Sequence, residues 1–132
     1  MNIKIEHYAV WCKDLEVMRT FYMNYFGMIS NDRYINSVKK YESYFLSFEG
    51  NLSPRLELMK RPDIIENKEG RGLMMGYAHI AFSVGSKEAV DILTEKFRQD
   101  GCPIISETRV TGDGYYESVI EDPEGNWIEI TE

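Results

Sequence analysis

Two strand-type segments, each with one histidine inside it, constrain the fold of this chain more than any other feature. The first is Ile3–Trp11 (IKIEHYAVW), which holds His7, and the second is Gly76–Val84 (GYAHIAFSV), which holds His79. The sequence contains no further histidine. A single histidine in an apolar strand is ordinarily a core residue with a satisfied hydrogen bond. Two histidines at equivalent places indicate an internal duplication instead.

Two glutamates repeat at the same interval as the histidines. Glu57 lies in RLELM and Glu129 lies in WIEIT, and the spacing from one to the other equals the spacing from His7 to His79. Because side chains alternate along a strand, each carboxylate faces away from its apolar neighbours, which we expect to pack against helices. A carboxylate on the concave side of a curved sheet loses part of its hydration and favours a partner. Two imidazoles and two carboxylates are suitable ligands for one divalent cation, with coordination positions left for water or substrate.

An ordinary structural role for each of these residues stays open. The histidines can lie in the core, and the glutamates can pair with Arg55, Lys60 or Arg61 on an exposed sheet face. For any one residue this is the better interpretation. Four ligand-type residues at matched intervals favour the metal site.

Both halves of the chain predict the element order βαβββ. In the first half we expect a helix at Leu15–Phe26, between Asp14 as N-cap and Gly27, and strands at Ile3–Trp11, Met28–Val38, Tyr41–Phe48 and Arg55–Lys60. In the second half we expect a helix at Lys87–Gln99, with Ser86 as N-cap, and strands at Met75–Val84, Ile104–Val110, Tyr116–Glu121 and Asn126–Thr131. We therefore predict the α+β class and a single domain over residues 1–132, with module one at 1–60, a polar linker at 61–74 and module two at 75–132.

The composition excludes several classes of partner. A formal net charge of −7 argues against binding to nucleic acids or anionic membranes, since both need a basic surface. No apolar run approaches the length of a membrane span, and a strand that begins at residue 3 leaves no room for a signal peptide. Cys12 and Cys102 fit no metal or redox spacing, so we expect reduced thiols and a cytoplasmic protein.

Five further residues are candidates for contact with a substrate. Arg61 lies on the ligand side of its strand and can meet an anionic group, although a solvated side chain is the alternative. Tyr115 and Tyr116 follow a glycine-rich loop, where aromatic residues either line a pocket or simply pack. Trp11 and Trp127 share strand faces with proposed ligands.

Four segments resemble the vicinal oxygen chelate superfamily, which includes glyoxalase I, fosfomycin-resistance proteins, extradiol dioxygenases, methylmalonyl-CoA epimerase and bleomycin-resistance proteins. They are IEHYAVWCKDLEVMRTFYMNYFGM, RLELM, YAHIAFSV and EDPEGNWIEI, and together they span nearly the whole chain. The resemblance implies two βαβββ modules that form curved mixed sheets around a central metal-binding cavity, and it implies a homodimer. It assigns the ligands to the first and fourth strands of each module, which here gives His7, Glu57, His79 and Glu129.

Within that superfamily the His-Glu-His-Glu set is similar to bacterial-type glyoxalase I, which converts the hemithioacetal of methylglyoxal and glutathione into lactoylglutathione. The resemblance implies a lyase or isomerase that acts through an enediolate, with proton transfer by Glu129 and with Glu57 opposite. The implied cofactor is zinc or nickel, with cobalt, manganese or iron as alternatives. Glyoxalases carry an Arg four residues after the first ligand and an Asn four residues after the second, where this chain has Trp11 and Arg61. These departures leave the thiol of the substrate open.

Two alternatives belong to other functional classes. One is a small-molecule or drug-binding protein of the bleomycin-resistance type, with the aromatic candidates lining its cavity. The other is an extradiol-type dioxygenase, which resembles a pattern of two His and one Glu, so the presence of Glu57 counts against it.

Overall fold

The computed structural model describes residues 1–67 and 69–132, and these form two compact units, Met1–Glu66 (unit 1) and Asn67–Glu132 (unit 2). The division between the units falls within the segment predicted as a linker, of which Lys68 lies outside the described residues. No helix among the described residues has both the length and the apolarity needed to cross a membrane.

Unit 1 is one helix packed on a mixed sheet. Its elements are β1 (His7–Trp11), α1 (Leu15–Phe26), β2 (Ile29–Ser30), β3 (Tyr34–Asn36), β4 (Tyr41–Ser47), a 3-10 turn (Glu49–Asn51) and β5 (Arg55–Lys60). The sheet order is β1-β5-β4-β2, and β3 pairs with the remaining length of β4. The β1–β5 pair is parallel, because α1 and the following strands carry the chain back before β5 begins, and the other pairs are antiparallel.

Unit 2 repeats this plan. Its elements are a 3-10 turn (Arg71–Leu73), β6 (His79–Ser83), α2 (Lys87–Gln99), β7 (Ile104–Val110), β8 (Tyr116–Glu121) and β9 (Trp127–Thr131). The sheet order is β6-β9-β8-β7, with β6 and β9 parallel. The fold class is therefore α+β with two mixed sheets and two helices, as the sequence predicts.

Each helix ends where its capping residues predict. The Asp14 carboxylate accepts a hydrogen bond of 3.1 Å from the backbone N–H of Val17, and Gly27 adopts φ 66° directly after α1. The Ser86 hydroxyl accepts a hydrogen bond of 3.1 Å from the N–H of Ala89 at the start of α2. Because these caps satisfy backbone groups that a helix leaves free, the bounds of both helices could be predicted from local sequence.

Each unit has an apolar core between its helix and one face of its sheet. In unit 1 the fully buried side chains are Met18, Tyr22, Leu46 and Leu58. In unit 2 they include Val90, Phe97, Ile120, Ile128 and Ile130. The residues that alternate with these along the strands, among them all four candidate ligands, lie on the opposite sheet face.

Five predicted strands differ from those observed, two of them by a single residue, since β4 ends at Ser47 rather than Phe48 and β9 begins at Trp127 rather than Asn126. The strand predicted at Ile3–Trp11 begins at His7, because β5 begins at Arg55, opposite His7, and the pairing register does not extend to the residues before it. Likewise β6 begins at His79, opposite Trp127, rather than at Met75.

The predicted strand Met28–Val38 is two short strands, β2 and β3. The side chain of Asn31 explains the interruption, since its Oδ1 accepts a hydrogen bond of 2.8 Å from the backbone N–H of Phe45. A side-chain acceptor there replaces the backbone carbonyl that a continuous strand would present, and the chain leaves the ladder at the next residues.

Candidate functional site

The first candidate pair, His7 and Glu57, lies on neighbouring parallel strands of unit 1. His7 stands opposite Arg55, and Glu57 stands opposite Ala9, two residues further along β1. Side chains two residues apart share a face, so this register brings the imidazole beside the carboxylate. Nε2 of His7 lies 3.4 Å from Oε2 of Glu57. The side chain of Glu57 is 12% exposed and that of His7 39%, so the carboxylate is the more sheltered group.

Unit 2 contains the same pair. His79 stands opposite Trp127 and Glu129 stands opposite Ala81, which repeats the register of β1 and β5. Nε2 of His79 lies 3.2 Å from Oε2 of Glu129. The interval seen in the sequence therefore corresponds to a repeated geometry, in which a histidine at the start of one strand meets a glutamate in the middle of the next.

The second carboxylate oxygen of Glu57, Oε1, is held by a tyrosine. The hydroxyl of Tyr41, the first residue of β4, donates a hydrogen bond of 2.5 Å to Oε1 of Glu57. Burial raises the pKa of Tyr41, and the hydrogen bond to the Glu57 carboxylate raises it further, because both disfavour the phenolate. Tyr41 thus stays a neutral donor that fixes one carboxylate oxygen while the other faces His7.

A second carboxylate contacts the other side of His7. Oε2 of Glu6 lies in contact with Nδ1 of His7, and Oε1 of Glu6 accepts a hydrogen bond of 2.7 Å from Nε of Arg55. The hydrogen bond to His7, with a further contribution from Arg55, lowers the pKa of Glu6. The Phe45 ring meets His7 edge-on at 5.5 Å between ring centroids.

In unit 2 the neighbour of the candidate ligand Glu129 is another acid, Glu117. Glu117 lies on β8, two residues from the partner of Glu129 in the ladder, so both face the same side of the sheet. Burial raises the pKa of Glu117, and the hydrogen bond and charge of Glu129 raise it further. Nη2 of Arg109 lies 3.9 Å from Oε1 of Glu117 and opposes this rise. A protonated Glu117 can donate to the Glu129 carboxylate, much as Tyr41 donates to Glu57 in unit 1.

The family model of the Glyoxalase/Bleomycin resistance protein/Dioxygenase superfamily matches residues 4–130, which is nearly the full chain. The chain belongs to this superfamily. Single proteins that resemble this chain have modest sequence identity to it. The uncharacterized protein YwbC of Bacillus subtilis (strain 168) is 29% identical over 130 residues, which is 98% of each chain.

Two glyoxalase I structures resemble this superfamily member. The trypanothione-dependent glyoxalase I of Leishmania major is 25% identical with a TM-score of 0.78, over 98% of this chain and 86% of that one. Glyoxalase I of Zea mays is 22% identical with a TM-score of 0.79, over 97% of this chain and 44% of that one. At the latter identity the likeness concerns the fold. The resemblance deduced from the four sequence segments is thus confirmed at the level of the superfamily.

In unit 1 of this superfamily member, two predicted substrate contacts lie near Glu57. The Arg61 guanidinium stands over the Trp11 ring, with Cζ 5.2 Å from the ring centroid, and its Nε donates to Asp63 at 2.6 Å. Trp11 in turn meets the Tyr41 ring edge-on at 6.4 Å. Trp11, Arg61 and the Tyr41 hydroxyl that holds Glu57 therefore form one connected cluster.

In unit 2 the three predicted aromatic contacts have separate surroundings. Trp127 lies on the face of Glu129 and is packed against Gly72, where an added Cβ would overlap the indole. The side chain of Tyr115 is exposed beside the turn that precedes β8. Tyr116 points to the helix, since its hydroxyl donates a hydrogen bond of 2.6 Å to Asp91 of α2. Tyr116 is therefore placed away from the ligand face, contrary to its expected role, because it alternates with Glu117 along β8.

The donor geometry of each pair fits a divalent cation. Two neighbouring ligands bound at about 2.0–2.2 Å from one metal lie about 3.0–3.5 Å apart. The Nε2–Oε2 separations of 3.4 Å in unit 1 and 3.2 Å in unit 2 fall within this range. Over residues 1–67 and 69–132 no group of three or more His, Cys, Asp or Glu side chains is arranged to hold a metal ion. Within its own unit, each pair therefore offers two donor atoms at a separation that suits one cation.

A cavity of about 880 Å³ lies in unit 1 next to His7. Its lining includes Lys4 and three residues that contact or stand opposite His7, namely Glu6, Phe45 and Arg55. This volume is in the range of small-molecule sites. The cavity therefore borders the residues around His7, although neither His7 nor Glu57 is among its lining residues.

Three residues of the site escaped sequence reasoning: Glu6, Tyr41 and Glu117. Glu6 directly precedes His7, and neighbouring strand residues are expected to face opposite ways, so local pattern argues against the contact observed. Tyr41 and Glu117 could have been found only from the pairing register of β4 and β8, which alternation within each strand does not fix.

Proposed function

We propose that this superfamily member is a metal-dependent lyase or isomerase of the glyoxalase I type, acting on a hemithioacetal or a similar substrate with two vicinal oxygens. The repeated His–Glu pair, at 3.4 Å in unit 1 and 3.2 Å in unit 2, is the observation that carries this proposal. Superfamily members and glyoxalase I enzymes are generally metal-dependent, which agrees with a histidine–glutamate donor set.

Four residues would hold the cation: His7, Glu57, His79 and Glu129. Members of the superfamily commonly form dimers, and we propose a homodimer here, so the two pairs of one site come from one chain or from two. A divalent cation, zinc or nickel in the first place, supplies positive charge that stabilises negative charge developing on the substrate oxygens. A mixed nitrogen and oxygen donor set leaves coordination positions for those oxygens.

The protein side chains have distinct tasks in this proposal. Glu129 would take the proton from the sulfur-bearing carbon of the hemithioacetal and return it to the neighbouring carbon, and the resemblance assigns Glu57 as the second carboxylate of the site. Tyr41 holds Oε1 of Glu57 and so limits the rotation of that carboxylate. Glu117 lies beside Glu129, and a protonated Glu117 would hold the Glu129 carboxylate by a hydrogen bond.

The thiol component of the substrate is the least constrained part. The Leishmania major relative is described as trypanothione-dependent, so the thiol differs among glyoxalase I enzymes. In this chain Trp11 and Arg61 occupy the places that meet glutathione in the resembled enzymes, and the Arg61–Trp11 stack supports an interaction with an aromatic or anionic group. We propose Trp11, Arg61, Tyr115 and Trp127 as substrate contacts.

The test is elemental analysis of the protein as isolated, followed by assays after reconstitution with nickel or zinc. The assays offer hemithioacetals of methylglyoxal with glutathione, trypanothione and smaller thiols. We expect a stoichiometric first-row metal, a rise in melting temperature on metal addition, and turnover of at least one hemithioacetal. A protein without bound metal and without a thermal shift on adding nickel or zinc would contradict the proposal.

A second candidate is a binding protein of the bleomycin-resistance type, since the superfamily also has members that are not enzymes. The aromatic cluster of unit 1 favours it: Tyr41 contacts Trp11 at 6.4 Å and Tyr34 at 6.1 Å between ring centroids. Such a protein would bind a flat aromatic drug, with quenching of tryptophan fluorescence, whether or not metal is present. Loss of binding on metal removal would argue against this candidate.

A further inference from the structure

The two nitrogens of His7 face different carboxylates. Nε2 lies 3.4 Å from Oε2 of Glu57, and Nδ1 is in contact with Oε2 of Glu6. A carboxylate is an acceptor when ionised, so the ring nitrogen that touches Glu6 must carry the proton of that hydrogen bond. A histidine that binds metal through one nitrogen commonly donates from the other to a carboxylate, which sets its tautomer and ring orientation.

Glu6 is itself held in place by Arg55. Both Nε and Nη2 of Arg55 contact Oε1 of Glu6, the Nε contact being 2.7 Å. The same guanidinium lies 4.0 Å from the centre of the Phe45 ring. The contacts run from Arg55 through Glu6 to His7. Because Arg55 stands directly opposite His7 in the β1–β5 register, the sheet positions both the first and the last of these residues. A fork of two donors on one carboxylate oxygen orients it more firmly than a single contact does.

Unit 2 has different residues at the corresponding places. His79 is preceded by Ala78 where His7 is preceded by Glu6, and Trp127 stands opposite His79 where Arg55 stands opposite His7. Neither an alanine methyl group nor an indole N–H can accept a hydrogen bond from Nδ1–H. The two halves of the repeat share the His–Glu pair but differ in what supports the histidine.

We propose that Glu6, held by Arg55, is a positioning residue that fixes His7 as the tautomer protonated on Nδ1 and so presents Nε2 as a metal ligand. The proposal rests on the metal site proposed above and deepens it. It makes the two histidines unequal: the unit 1 pair is organised for metal before binding, whereas His79 lacks a carboxylate at the position of Glu6.

The direct test reads the tautomer in the full-length protein without metal. Long-range ¹H–¹⁵N correlation spectra of uniformly ¹⁵N-labelled protein, recorded at about pH 8, report which ring nitrogen carries the proton. We expect His7 to be protonated on Nδ1 and to exchange between tautomers in Glu6→Ala. Glu6→Gln keeps an acceptor oxygen and should retain the wild-type pattern. An unchanged His7 signal in Glu6→Ala would overturn the proposal.

Metal affinity provides the second readout. Loss of a carboxylate behind a metal-binding histidine typically lowers affinity 10–100-fold, so Glu6→Ala should weaken binding of nickel or zinc by about this factor. Glu6→Gln should restore most of the affinity. The matched control is Glu107→Ala, which removes another exposed glutamate that contacts an arginine, Arg98, and should leave affinity unchanged. Equal affinities of Glu6→Ala and the wild type would contradict the proposal.

These measurements separate the proposal from the function on which it rests. Wild-type protein that binds no metal would refute the proposed function, and the tautomer spectrum alone would then decide the role of Glu6. Wild-type protein that binds metal while Glu6→Ala leaves both the spectrum and the affinity unchanged would refute the positioning role only. Circular dichroism melts of each variant confirm that the spectra are compared between folded proteins.

Discussion

Tyr41 donates a 2.5 Å hydrogen bond to Oε1 of Glu57 across the antiparallel pair β4–β5. The same carboxylate presents Oε2 to His7 at 3.4 Å, so each oxygen of Glu57 has its own partner. A carboxylate held at one oxygen keeps the other in a defined direction, which is the condition for binding a metal through a single oxygen. This relationship links a hydrogen bond that stabilises the sheet to the proposed chemistry.

Tyr41→Phe should therefore weaken metal binding more than it weakens the fold. A hydrogen bond to a charged acceptor contributes about 1.5–3 kcal/mol when buried, and the partial exposure of Tyr41 reduces the expected loss of unfolding free energy to about 1 kcal/mol. We expect nickel or zinc affinity to fall about tenfold. Calorimetric titration and urea denaturation measure the two effects. Tyr34→Phe, which alters a neighbouring ring without touching Glu57, is the control, and an unchanged affinity in Tyr41→Phe would count against the role of Tyr41.

Glu129→Gln should abolish turnover while it keeps the fold. The substitution preserves the size of the side chain but removes the group that accepts the proton, so we expect a loss of at least about 100-fold in kcat for whichever hemithioacetal is turned over. The assay uses metal-reconstituted protein, with metal content measured for each variant. Glu107→Gln serves as the exposed control. Full activity of Glu129→Gln with bound metal would show that another residue moves the proton.

Asp122→Ala should destabilise the connection between β8 and β9. The Asp122 side chain is 3% exposed, and its carboxylate accepts hydrogen bonds from the backbone N–H groups of Glu124 at 2.9 Å and Asn126 at 3.0 Å. It also accepts one from Nδ2 of Asn126 at 2.7 Å. Loss of three hydrogen bonds to one charged group should lower the unfolding free energy by about 2–4 kcal/mol and the melting temperature by about 10 °C. Asp63→Ala, at an exposed ion pair, should change it little. If Asp122→Ala had the same melting temperature as the wild type, the proposed role of Asp122 in the turn would be contradicted.

Glu117 should make the metal-free protein less stable as pH rises. Burial, with the hydrogen bond and charge of Glu129, raises its folded-state pKa above the ordinary value of 4.5. The folded state thus binds the proton more tightly than the unfolded state, so the stabilisation is complete below about pH 4.5 and is lost as pH rises through the raised folded-state pKa. Glu117→Gln should flatten this decline in urea denaturation measured from acid to neutral pH.

Glu107→Gln is a useful comparison, because the pKa of Glu107 is shifted in the opposite direction to that of Glu117. The hydrogen bond to Arg98 lowers the pKa of Glu107, so its contribution is present above the ordinary pKa and is lost as pH falls through the lowered value. The two variants should therefore change the pH dependence of stability in opposite directions. A Glu117→Gln protein with the wild-type pH profile would contradict the raised pKa.

Local signals predicted much of the fold. The bounds of α1 and α2 agree with the observed helices because capping is a property of a few adjacent residues. The break between β2 and β3 could not be read this way, because it depends on Asn31 meeting the N–H of Phe45 from a strand that comes later in the chain. Whether the two modules form the single domain predicted for residues 1–132 stays a prediction.

The candidate site also has a part that the sequence predicts and a part that it does not. Alternation and the shared spacing of the two pairs were sufficient to select His7, Glu57, His79 and Glu129, and within each unit the structure brings the histidine to the glutamate. The supporting residues could not be selected, since each contact crosses a strand pair whose register is set by packing of the whole sheet.

The tripeptide Tyr-Glu-Ser occurs on both β4 and β8, as Tyr41 to Ser43 and as Tyr116 to Ser118. In unit 1 its tyrosine reaches Glu57, whereas in unit 2 its tyrosine points to α2 and its glutamate lies beside Glu129. The sequence by itself determined the repeated elements, the helix ends and the four candidate ligands, because these follow from periodicity and caps. Only the tertiary structure decided which side of each tripeptide faces the site, because a slip of one residue in strand register turns every side chain to the opposite face.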